Sequence, residues 1–294
     1  MRRRVVFRNR WLPYALLAPQ LALTVVFFLW PAAQALSQSV YVTDAFGLRA
    51  RFVGLGNFVA LFTDPLYLGA LRVTILFSLT LVAVTLAAAL GLALAANRPM
   101  PGAAVYRTLL VWPYAVAPAV AAVLMLFLFH PAIGLLGRWL RAHGVPWDYT
   151  LNGTHALVLV TLAAAWRQVS YNFIFFLAGL QAIPRSLVEA ASVDGAGPGR
   201  VFWSVVFPLL SPTTFFLVVV NLVYAFFDTF GVIDALTKGG PGEATETLMY
   251  KVYVDGFINH SLGSSAAQSV VLMTVVVLLT AVQFRHLEHR VHYG

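Results

Sequence analysis

Long apolar runs alternate along this chain with short polar stretches. Six such runs, at about residues 12–33, 69–96, 108–129, 154–180, 209–232 and 262–284, hold few charges. A helix needs roughly 20 mostly apolar residues to cross the hydrocarbon of a bilayer, so each run predicts one crossing. A β-barrel would instead show segments of about 10 residues alternating between apolar and polar. The expected fold is therefore all-α, a polytopic membrane protein with six transmembrane helices.

The runs differ in ways that bear on packing. Span two is rich in Ala and Gly, and span six opens on Gly263, Ser264, Ser265, Ala266, Ala267, Gln268 and Ser269, small residues that let helices approach closely. Span three carries Pro113 and Pro118, which predict either a structural kink or a break that lines a pathway. Residues 37–68 read as an interfacial helix and loop, residues 97–102 as a turn, residues 130–153 as an outer loop, and residues 234–260 as a loop followed by a polar, aromatic stretch. Ahead of span one lies an arm, residues 1–11, with Arg2, Arg3, Arg4, Arg8 and Arg10. The run behind it is too long for a secretory leader, so it reads as an uncleaved span. Residues 285–294 form a short tail.

Composition agrees with this pattern. Of 294 residues, 60% are hydrophobic and 10% charged, and the mean hydropathy is +0.82, outside the usual balance of soluble domains. The formal charge of +8 would fit a nucleic-acid binder, but its distribution points elsewhere. One side of the membrane takes Arg2, Arg3, Arg4, Arg8, Arg10, Arg98, Arg107, Arg185, Arg200, Arg285 and Arg290 against Glu189, Asp194 and Glu288, so 11 − 3 = +8. The other takes Arg49, Arg51, Arg72, Arg138, Arg141, Lys238 and Lys251 against Asp44, Asp64, Asp148, Asp234, Glu243, Glu246 and Asp255, so 7 − 7 = 0. By the positive-inside rule both termini are expected in the cytoplasm, and no nucleic-acid partner is needed.

Several chemistries are excluded. The absence of cysteine removes disulfides, thiolate metal sites and cysteine nucleophiles. No GxxxxGK[ST] occurs, so the chain is not expected to bind ATP, and the tail's His286, Glu288 and His289 lack HExxH spacing, so no metal site is expected. Ser170 and His155 could be nominated for an intramembrane enzyme, yet spacing gives them no convergent partner. A stand-alone secondary transporter is the competing class.

The most informative polar stretch runs from Ile183 to Arg200. Pro184 suits a helix start, Gly195 a left-handed stop, and Pro198 a restart, which predicts a short helix, a turn and a second helix. Leu187, Ala190 and Ala191 share a face, so the short helix can dock on a partner. Glu189, Ala190, Ala191, Asp194, Gly195 and, further on, Pro208 resemble the EAA loop of the permease subunits of bacterial binding-protein-dependent ABC importers of the maltose type. The resemblance implies a type I importer permease fold whose coupling loop, residues 183–207, docks on a separate ATPase.

Phe7 to Tyr14, Pro113 to Val120, Asn221 to Phe230 and Ser264 to Ser269 look like the first permease subunits of sn-glycerol-3-phosphate importers, and Thr237 to Pro241 like a stretch shared more widely among sugar-importer permeases. The resemblance implies an inner-membrane chain in a lipid bilayer, paired with a second permease as a heterodimer. It also implies two ATPase subunits that use ATP and Mg, and a periplasmic solute-binding protein. The implied solute is sn-glycerol-3-phosphate or its diesters, with a neutral sugar or polyol as the rival.

Polar residues inside the spans are the candidate solute pathway. Arg167, Gln168, Tyr171 and Asn172 lie on span four, with Asn221, Tyr224 and Asp228 on span five. A buried arginine costs about 2.5 to 3.5 kcal/mol on insertion scales. Arg167 is accordingly expected to pair with Asp228, to face a cavity suited to an anion, or to snorkel from the cytoplasmic end.

Overall fold

The computed structural model describes residues 11–43, 49–98 and 101–288. The arginine arm before Trp11, Asp44, and the tail from His289 onward with Arg290 lie outside the described residues. Among the described residues four helices are long and apolar enough to cross a membrane, and two bent helix pairs bring the number to six. The chain divides into two compact units, one of residues 1–63 and 252–273, the other of residues 64–251 and 274–294.

The first unit opens with a continuous helix, Leu12–Gln38, in which no residue is buried. Its exposed leucines, valines and phenylalanines would be expelled by water and suit a lipid surround. An antiparallel ribbon follows, Tyr41–Thr43 with Ala50–Phe52, and then the helix Gly56–Thr63. The ribbon corrects the expectation of only a helix and loop over residues 37–68. It is held in place by Asn57, whose Nδ2 donates to the carbonyls of Ser39 and Tyr41 at 2.8 and 2.9 Å. Gly263, at the head of the last helix, sits so close to the Tyr41 carbonyl that a β-carbon would collide with it. In the same unit the buried Gln268 donates to the Asp255 carboxylate, which also accepts from Asn259 at 3.1 Å.

The second unit is built around spans two and four. Span two, Pro65–Ala96, starts earlier than the apolar run because Asp64 caps it, accepting from the Leu66 amide at 3.0 Å, while Pro65 takes the first turn. Span four is Gly153–Ala182, capped by Asn152. Ala89, Ala93 and Ala96 are buried against Phe173, Phe176 and Leu180 of span four, and Leu210 and Leu217 complete the cluster. Small residues facing large rings give close packing where no water drives association.

Span three is not a single kinked rod over residues 108–129. It is two helices, Ala103–Ala115 and Pro118–Phe129, meeting at 102°. Pro118 holds the first turn of the second helix and forces Ala117 out of the helical region, to ψ 143, with Val116 also extended at ψ 130. Span five is likewise displaced. Its helix starts at Pro198, passes a π turn at Phe202–Val206, and ends at Phe227 rather than continuing to residue 232. The π turn falls just ahead of Pro208, where the α ladder has lost a donor. Near the far end the Thr229 hydroxyl donates to the Ala225 carbonyl, and a separate helix follows, Phe230–Leu236.

Two expected loops hold helices. Leu135–Ala142 interrupts residues 130–153, with the Trp147 indole donating to the Phe129 carbonyl at 2.9 Å. Nearby, hydrogen bonds led by the Thr150 hydroxyl hold the Asp148 carboxyl below its ordinary pKa. Leu248–Tyr253 lies within residues 234–260, its first amide bonded to Thr74 Oγ1 at 2.8 Å. The last helix, Leu262–Glu288, runs into what was expected to be tail.

Candidate functional site

A cavity of about 490 Å³ opens between spans three, four and five. Span four contributes Arg167, Gln168 and Tyr171, span five contributes Tyr224 and Asp228, and the break in span three contributes Tyr114 and Pro118. Gln283 reaches it from the last helix, and Val219, Val220 and Val223 form its apolar wall.

The break in span three positions the arginine. Residues ahead of a proline lose helical partners, so the Val116 carbonyl is left open, and Arg167 Nε donates to it at 2.7 Å. The Arg167 guanidinium carbon lies 6.0 Å from the Tyr114 ring centroid, within cation–π reach. Tyr114 and Tyr171 are neighbours, with centroids 5.6 Å apart. Tyr224 is 7% exposed, and its hydroxyl lies beside the Arg167 guanidinium, which acts on it both by charge and as a donor.

Two residues expected on the pathway are elsewhere. Asn172 and Asn221 are fully buried and bond each other reciprocally, Asn172 Nδ2 to Asn221 Oδ1 at 3.1 Å and Asn221 Nδ2 to Asn172 Oδ1 at 2.6 Å. Each also donates to its own helix, to the Gln168 and Leu217 carbonyls. They clamp span four to span five and do not line the cavity. Nor do Arg167 and Asp228 form a direct ion pair among the described residues; they share the cavity, and the arginine takes a backbone acceptor instead.

A second feature is the polar segment after span four. The helix Arg185–Val193 leaves span four at 67°, with Ile183 and Pro184 extended. None of its residues is buried; Glu189 and Ala190 are exposed, and Val193 is 86% exposed. Gly195 closes it at φ +79°, with the Ala196 amide donating to the Ala191 carbonyl at 3.0 Å and the Gly195 amide to the Ser192 carbonyl at 3.1 Å. Asp194, Gly195 and Pro208 are exposed, and Ala191 is half-buried. The result is a short helix with uncovered apolar side chains, fixed by a tight turn to the start of a span.

Sequence patterns alone did not single out Tyr114 or Gln283. The signal for Tyr114 was its place between Pro113 and Pro118, where the chain breaks beside Arg167.

Known proteins carry the same pattern. The family described as binding-protein-dependent transport system inner membrane component matches residues 87–293. The sn-glycerol-3-phosphate transport system permease protein UgpA of Rhizobium meliloti is 61% identical over 291 residues, 99% of each chain. That of Agrobacterium fabrum is 62% identical over 290 residues, again 99% of each, and that of Yersinia enterocolitica 56% over 287 residues, 98% of this chain and 97% of its own. A chain of a bacterial ABC transporter involved in the import of the acidic polysaccharide alginate has the same fold, with a TM-score of 0.77, 22% identity, and coverage of 94% and 96%. The same holds for a bacterial alginate ABC transporter in complex with alginate pentasaccharide-bound periplasmic protein, at a TM-score of 0.77 and 21% identity, covering 93% and 92%. The fold is that of type I ABC importer permeases, and the chain is a transport subunit that belongs to the family of binding-protein-dependent transport system inner membrane components.

Proposed function

We propose that this chain is one of two permeases in an ATP-driven inner-membrane importer of sn-glycerol-3-phosphate. The observation that carries the reading is the near-complete match, at about 60% identity, to permeases of sn-glycerol-3-phosphate transport systems. The cavity supports it. A phosphate ester is a small anion, and Arg167, anchored on Val116, is a fixed cation beside the Tyr224 hydroxyl. Guanidinium and phosphate match as a fork to paired oxygens. Asp228 on the same wall offsets that charge when no solute is present, so the empty site does not hold a lone buried cation.

Both termini and the helix Arg185–Val193 lie in the cytoplasm, by the distribution of arginine. There the helix docks on one of two ATPase subunits, which bind ATP and Mg; this chain binds neither. A periplasmic binding protein delivers the solute to the outer face. Closure of the ATPase pair moves the helix, and the turn at Gly195 passes that movement to span five, turning the cavity from one side to the other.

Proteoliposomes holding the chain with its second permease and ATPase test this. Supplied with binding protein, they are expected to take up sn-glycerol-3-phosphate only with internal ATP, and to leave maltose and glycerol outside. Uptake of neutral sugars alone would remove the phosphate ester, and uptake without an ATPase would remove the importer reading.

A further inference from the structure

Where spans two and four end, the chain forms a groove of about 1140 Å³ that shares no lining residue with the solute cavity. Its charged side chains are Arg98, Arg107 and Arg185 against Glu189, so 3 − 1 = +2. Leu94, Leu180, Ile183 and Val206 give it an apolar wall. Arg107 is fixed by a hydrogen bond from Nη2 to the Ala96 carbonyl, the last residue of span two, at 3.0 Å, while its Nε is buried and has no partner among the described residues. The Arg98 and Arg185 side chains are exposed and make no hydrogen bond among the described residues. On the helix that carries Arg107, Leu109 and Trp112 are 67% and 61% exposed, as in the aromatic belt of a membrane interface.

Three guanidiniums, one with an open buried donor, call for an anion with several acceptor oxygens. The adjoining apolar wall calls for a hydrocarbon chain attached to it. A free phosphate fills only the first need and an apolar peptide only the second. We infer that this groove is a binding site for an anionic glycerophospholipid of the cytoplasmic leaflet, its headgroup phosphate on Arg98, Arg107 and Arg185 and an acyl chain along Leu180 and Val206. Basic pockets between membrane helices on the cytoplasmic side recognise such headgroups. Because Arg185 begins the short helix and Glu189 lies at its middle, the lipid braces it against the end of span two. The site rests on the cytoplasmic placement of this face proposed above.

Native mass spectrometry of the complete importer, extracted from membranes of phosphatidylglycerol, cardiolipin and phosphatidylethanolamine, tests the site. Retained anionic lipid is expected in the wild type, falling about fivefold for each of Arg98→Gln and Arg185→Gln. Both side chains are exposed, so folding is not at stake. Equal retention in wild type and variants overturns the site. Displacement by millimolar inorganic phosphate would make it a free-anion site, and lipid seen only when the ATPase is stripped away would make the groove part of the ATPase interface; either result overturns the lipid assignment. The placement is read separately from Gly197→Cys. The chain has no cysteine, and nothing lies within 4 Å of where a β-carbon at Gly197 would sit. Impermeant maleimide reacting from the outside overturns the placement, whereas reaction only from the inside with unchanged lipid overturns the lipid site alone.

Discussion

Arg167 Nε donates to the carbonyl of Val116 at 2.7 Å, so the charge on span four is seated on the break in span three. A guanidinium can make that bond and still present its other donors to an anion. An ammonium has one nitrogen for both tasks. Arg167→Lys is therefore expected to raise the KM for phosphate-ester uptake about tenfold, and Arg167→Gln toward about a hundredfold, the range of charged hydrogen bonds. Uptake kinetics in proteoliposomes check this, and an unchanged KM in Arg167→Gln would take Arg167 off the pathway.

The amide pair Asn172 and Asn221 is expected to behave as a clamp. Removing either leaves the other buried without its partner. A double-mutant cycle with Asn172→Ala and Asn221→Ala should show a coupling of about 0.6 to 1.7 kcal/mol, as for polar pairs between membrane helices. Thermal unfolding in detergent measures it. KM for the solute should hold in both variants, since neither residue lines the cavity.

Glu189 is exposed on the short helix, so Glu189→Arg should leave the abundance and thermal stability of the chain unchanged. Transport and solute-stimulated ATP hydrolysis should both fall to background through lost docking. Gly195→Ala should act more mildly. No atom lies within 4 Å of the added carbon, so the cost is only the left-handed backbone, about 1–2 kcal/mol. Paired uptake and phosphate-release assays separate the two effects.

Gly179 and Gly91 make a contrast. A β-carbon on Gly179 would lie 2.9 Å from Leu210 Cδ2 and 3.3 Å from Thr213 Oγ1, whereas one on Gly91 meets nothing within 4 Å. Gly179→Val should destabilise by about 1–3 kcal/mol as spans four and five are pushed apart. Gly91→Ala should be neutral or slightly stabilising through helix propensity. The melting temperatures of the two variants provide the comparison.

The apolar runs made the crossings legible because a bilayer demands continuous hydrocarbon-compatible length, and the segment around Glu189 was legible because Pro184, Gly195 and Pro198 each mark a specific backbone step. The depth of the break at Val116 was not. A proline before a helix restrains its predecessor, but whether the two halves stay nearly straight or turn by 102° depends on what receives the freed carbonyl. That receiver, Arg167, is distant in sequence. The same limit hid the role of Asn172 and Asn221. Periodicity places each on a face of its own helix, while which face meets which is settled only when Ala89 and Ala93 of span two seat against Phe173 and Phe176. The ribbon pairing Tyr41 with Phe52 was silent because three-residue strands leave no alternation to read.

The seat of Arg167 has a consequence for where such a protein can work. A charge steadied by a carboxylate loses its hold when acid protonates that partner. A peptide carbonyl takes up no proton in any medium a cell survives. The bond from this arginine to Val116 is therefore indifferent to souring of the surroundings, while the charge balance of the cavity around it is set by Asp228 and the cargo.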